Sequence, residues 1–131
     1  MLIVDAHQDL AWNIITFGRD YTRSVQQTRL IEQGTDTPTR NGDTLLGWTE
    51  YQDGRVAVVF ATLFAAPIRR KVGEWEKLVY KTQMQARMLY RSQLDAYNRL
   101  VEEHPDKFKF VRDFITLNET KRNMKRCRTE L

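Results

Sequence analysis

Asp5-Ala6-His7-Gln8-Asp9 follows directly on the apolar run Leu2-Ile3-Val4, and His7 and Asp9 are the side chains whose types and spacing best suit chemistry. An imidazole nitrogen and a carboxylate oxygen both ligate zinc at about 2.0–2.2 Å. In an extended strand, residues two apart point to the same side, roughly 6.6 Å apart along the axis. The two groups should therefore project together from the strand's C-terminal end, the end at which α/β barrels carry their active sites. The pattern permits a metal site without by itself favouring one. The competing reading is a surface pair that braces the following loop, and a lone His-x-Asp is a weak signal by itself.

For that geometry Leu2-Ile3-Val4 must form a buried strand that opens into polar residues. Beyond Gly18, residues 23–33 read as a modest helix stopped by Gly34, and residues 35–43, rich in Thr, Asp, Asn and Gly with Pro38, read as a loop. A short helical turn through Leu45, Leu46, Trp48 and Tyr51 ends at Gly54. Residues 55–66 (RVAVVFATLFAA) form the strongest strand, apolar as expected of a parallel strand covered on both faces, with Pro67 closing it.

From 73 to 104 a long helix is expected, with Trp75, Leu78, Val79, Ala86, Leu89, Leu94, Tyr97, Leu100 and Val101 at three- and four-residue steps and Pro105 as its stop. Residues 108–115 look extended. Thr116-x-x-Glu119 has the form of a capping box for a last helix burying Leu117, Met124, Cys127 and Leu131. Strands alternating with helices predict one α/β domain over residues 1–131 with parallel pairing, stopping where another strand is due.

Bulk properties fit that class. With 131 residues, 41% hydrophobic and 29% charged, the chain suits a soluble globular protein. A net charge of +4 is dispersed along most of the chain, so nucleic acid is not an expected partner. The single cysteine, Cys127, excludes an internal disulfide and a cysteine-based zinc cluster, and favours a reduced, cytoplasmic setting. No secretory leader and no membrane-spanning run is read, and no membrane partner is expected. A glycine-rich phosphate loop is likewise missing, which leaves nucleotide cofactors without support.

VDAHQDLAWN resembles the opening of the membrane (renal) dipeptidase family, in which a strand ends in Asp-x-His-x-Asp-Leu. Further likeness lies in Gly18-Arg19-Asp20-Tyr21-Thr22, in residues 42–67 with their short helix, glycine and Val-rich strand, and in the passage FKFVRDFITLNE. It covers the whole chain but only the family's N-terminal portion. Ala11 stands where many relatives have proline, and Phe64 where tyrosine is common.

The resemblance implies the N-terminal part of a TIM-type (β/α)8 metallo-dependent hydrolase barrel, amidohydrolase-like. Its members carry two zinc ions and hydrolyse dipeptides through a metal-activated hydroxide. On this chain His7 and Asp9 would ligate the first metal. The bridging glutamate and the two later histidines of the family have no counterpart, so the isolated chain should bind zinc poorly, in at most one partial site, and be inactive. It should also pair with a missing C-terminal portion or self-associate.

Other residues have plainer explanations. Trp12, three residues past Asp9, is equally suited to walling a substrate pocket and to packing. His104 reads as a helix C-cap, Glu130 lacks the strand context of a bridging ligand, and Cys127 has no histidine near it in sequence. The run Lys121, Arg122, Lys125, Arg126 and Arg128 reads as a solvated helix face with few aromatics interleaved for base stacking. Two rivals to the dipeptidase reading stand: a non-catalytic α/β interaction module derived from the same family and, more distantly, a basic RNA-binding domain.

Overall fold

The computed structural model describes residues 2–126. Its core motif is a parallel strand pair, β1 (Ile3–Gln8) and β2 (Val56–Ala61), joined by a crossover of four helices: α1 (Leu10–Phe17), α2 (Val25–Glu32), α3 (Thr37–Asn41) and α4 (Trp48–Asp53). A second, minimal parallel pair, β3 (Ala66–Pro67) with β4 (Val79–Tyr80), precedes the long helix α5 (Gln83–Glu103) and the last helix α6 (Phe114–Arg126). The chain is thus mixed α/β with small parallel sheets. No helix among the described residues is long and apolar enough to cross a membrane.

Helix α1 is the element that periodicity missed. Its sequence LAWNIITF is apolar on nearly every side, so no amphipathic stripe marks it. It ends on Gly18, whose φ of 70° places it in the left-handed conformation that glycine adopts without strain. Leu10 and Ala11 are buried against Tyr21, Ala96 and Tyr97, with Ile14, Ile15, Leu46, Val59 and Phe108 packed around them. This cluster joins α1, α5 and one face of the sheet.

Several expected boundaries move, the end of β2 through a distant partner and the starts of α5 and α6 through local caps. β2 stops at Ala61, five residues early: Thr62 still donates to the carbonyl of Gln8 at the end of β1, but the backbone of Phe64 turns to another partner. Gln93 on α5 is fully buried and bonds both the amide (2.9 Å) and the carbonyl (2.9 Å) of Phe64, as a neighbouring strand would. Nor is β2 covered on both faces. Val59 packs into the core, while Phe60 is 60% exposed and Val4 of β1 is 58% exposed on the other side of the pair.

The long helix starts at Gln83 rather than 73. Thr82 and Gln85 form a capping box that sets its first turn (Gln85 N to Thr82 Oγ1, 3.2 Å). Residues Trp75 and Leu78, expected on its apolar stripe, precede it and are drawn into the core side of the molecule. Helix α5 ends with His104 at its C-cap, as its sequence position suggested.

Residues 108–112 form no strand, and α6 starts at Phe114 instead of after Thr116. Asp113 caps it, accepting from the Thr116 amide and hydroxyl, both at 2.7 Å. Leu117 on α6 is half-buried. The other residues expected to share its buried side, Met124, Cys127 and Leu131, lie outside the described side chains, as do Arg128 and Glu130. The expected loop at residues 35–43 contains the one-turn helix α3, with Pro38 in its first turn.

Candidate metal centre

His7 and Asp9 meet at the C-terminal end of β1, with His7 Nε2 and Asp9 Oδ2 3.3 Å apart. Simple strand alternation is not what brings them together. Between Asp5 and Gln8, β1 carries one residue more than the facing stretch of β2, which runs from Val59 to Ala61. Such a bulge turns the side chains beside it. The carboxylate of Asp5 braces it, accepting from the His7 amide (3.0 Å) and from Gln8 Nε2 (2.8 Å). The hydrogen bond from the His7 amide, followed by that from Gln8, holds the Asp5 carboxyl below its ordinary value.

Gln8 is buried and receives the Tyr51 hydroxyl on its side-chain oxygen at 2.6 Å, which ties the bulge to α4. Burial pushes the Tyr51 phenol well above the usual tyrosine value.

Asp9 occupies the N-cap of α1, where aspartate ordinarily accepts from the first-turn amides. It makes no such bond. Its Oδ1 accepts from the Thr62 hydroxyl and its Oδ2 faces His7. Its backbone carbonyl accepts from Asn13 Nδ2 at 3.0 Å. His7 is largely exposed and Asp9 about one-third exposed.

Behind this corner lies a buried polar network. Arg19 and Glu32 form a bidentate pair at 2.7 and 3.1 Å, and Arg19 also donates to the Gly42 carbonyl (2.8 Å) and to Asn13 Oδ1 (3.3 Å). Asn41 Nδ2 donates to the same Asn13 oxygen at 2.7 Å. Asn13 thus links the network to Asp9.

Trp12 lies in an aromatic cluster, edge-on to Phe17 (5.4 Å), Trp75 (6.3 Å) and Phe64 (6.5 Å), with Phe17 and Trp75 stacked at 5.6 Å. Its indole N–H is buried and has no hydrogen-bond partner among the described residues. Trp48 likewise packs, edge-on to Phe108 at 5.4 Å.

Two donors of suitable type converge, and they fit zinc in part. Ligands on adjacent corners of a zinc tetrahedron with bonds of about 2.0–2.1 Å lie roughly 3.3 Å apart, a separation that the His7–Asp9 pair shares as a direct imidazole–carboxylate contact. Among the described residues no group of three or more His, Cys, Asp or Glu side chains is placed to hold a metal. Sequence reasoning found the two candidate ligands but missed Thr62 and Arg19. Comparison with protein-family models, curated proteins and solved structures returns no match to this chain.

Proposed function

We propose that the chain is the N-terminal portion of a zinc-dependent dipeptidase barrel, contributing the first pair of metal ligands, His7 and Asp9. The observation that carries this reading is the His7–Asp9 convergence by an aspartate that leaves its own helix uncapped. An N-cap aspartate contributes typically about 1 kcal/mol. Leaving that interaction unmade in favour of Thr62 and an exposed imidazole suits a ligating pair, and a structural tie between the strand ends is the alternative that zinc titration separates from it.

The bare face of the β1–β2 pair supports the barrel. Parallel strands occur almost only with both faces covered, yet Val4 and Phe60 are exposed here, as residues that line a barrel interior would be before closure. When bound, zinc supplies Lewis acidity toward an amide carbonyl and an acidified water. The chain's own part is to hold one nitrogen and one oxygen in fixed relation at the strand ends.

A catalytic zinc ordinarily has three protein ligands, so the isolated 131-residue chain binds zinc weakly and does not hydrolyse dipeptides. Titration of the chain with zinc chloride, followed by amide NMR shifts, is expected to move the signals of residues 7–9 with an affinity weaker than about 1 μM. His7→Ala abolishes the effect. Tight one-to-one binding, or shifts confined to other residues, would overturn the assignment.

A second reading, a non-catalytic α/β interaction module, is favoured by the outward face of α5, where Met84, Met88 and Leu94 are all exposed. It expects zinc to have no effect at residues 7–9.

A further inference from the structure

Thr62, the first residue past β2, is held from three directions. Its amide donates to the Gln8 carbonyl (3.0 Å), and its own carbonyl accepts the Tyr97 hydroxyl (2.8 Å). That hydroxyl in turn accepts the Ala11 amide (3.2 Å). Helix α5 thereby ties the residue after β2 to the start of α1 through one phenol. Burial raises the Tyr97 phenol above its ordinary value, which keeps it protonated as a donor.

The Thr62 hydroxyl lies 3.1 Å from the Gln8 carbonyl and also hydrogen-bonds Asp9 Oδ1. A hydroxyl has one proton to give. The Gln8 carbonyl already receives the Thr62 amide, and a charge-assisted bond to a carboxylate is about twice as strong as a neutral one. The proton therefore goes to Asp9.

From this geometry we infer that Thr62 is a positioning residue for the metal ligand Asp9. By occupying Oδ1 it presents Oδ2 beside His7 as a one-oxygen ligand and removes the carboxylate's freedom to turn back and cap α1. This inference rests on the zinc reading above. Partners that orient a ligating carboxylate typically change metal affinity by about 10–100-fold when removed.

The test uses the full chain with zinc chloride as probe and reads affinity from the amide shifts of residues 7–9. Thr62→Val, which keeps the shape and removes the donor, weakens binding about tenfold. Thr62→Ser, which restores the donor, binds within about twofold of the parent. A general packing role does not produce that split, because serine loses the methyl that valine keeps. If Thr62→Val does not fold, as judged by amide dispersion, Thr62→Ala takes its place. Equal affinity in the parent and the hydroxyl-free variant overturns the role of Thr62 and leaves the zinc site standing. Zinc without effect on residues 7–9 of the parent chain overturns both.

Discussion

Arg19 and Glu32 are locked together by two hydrogen bonds with only 6% and 8% of their side chains exposed. The pair joins the turn after α1 to the end of α2, and through Gly42 and Asn13 it reaches the loop before α4 and the corner that carries Asp9. Breaking a buried pair leaves an uncompensated charge and costs about 3–5 kcal/mol. Glu32→Ala is therefore expected to lower the unfolding free energy by about 3 kcal/mol in urea titration. The double variant Arg19→Met, Glu32→Leu should lose less than the sum of the two single changes. Additive losses would show that the pair is not coupled.

Acid should weaken the fold through carboxylates held below their ordinary value, Asp5 and Asp20 among them. Asp5 is held low by the His7 amide and Gln8. At Asp20 burial pushes upward, but the Thr22 hydroxyl and amide, with Arg23, outweigh it and leave the carboxyl below its ordinary value. A folded value below the unfolded one contributes stability above the unfolded value, about pH 3.9, and loses it as pH falls through the folded value. The urea midpoint should hold between about pH 7 and 5 and fall below about pH 4. The difference between the parent chain and Asp20→Asn should shrink over the same acid range. A difference that stays constant down to pH 3 contradicts this origin.

Asp9→Ser separates the two roles open to an N-cap residue. Serine is as good a cap as aspartate, and here the aspartate makes no capping bond. The variant should change unfolding free energy by less than about 1 kcal/mol while removing the zinc response of residues 7–9. A large loss of stability would mean that the Asp9 carboxylate is chiefly structural.

The apolar, uncovered side of the strand pair should promote association. Phe60 is 60% exposed on a parallel sheet, an arrangement that ordinarily needs cover. Sedimentation velocity is expected to show self-association of the parent chain, reduced by Phe60→Lys. A compact monomer at high concentration would show that this face needs no cover.

Much of the order of elements was legible in local sequence because local rules decide it. The apolar runs of β1 and β2, the helix ends near Gly34 and Gly54 and the stop after His104 all depend on neighbours a few residues away. Boundaries failed where a distant partner intervened. Gln93 captured the Phe64 backbone and ended β2, and Trp75, expected on the long helix, packs instead with Trp12 and Phe17. Residue type and spacing singled out His7 and Asp9, and their side chains do approach each other, but Asp9 already lies past the end of β1, so strand alternation does not account for the meeting.

By itself, then, the sequence determined that an imidazole and a carboxylate would stand at the end of a short strand in an α/β chain, since strand propensity and spacing act over a few residues. Only the tertiary structure decided which way they face. A bulge braced by Asp5, a hydroxyl at Thr62 fifty-three positions from Asp9 and a phenol on α5 set that direction. Hydrogen bonds between residues so far apart exist only once the crossover helices have brought the two strands side by side.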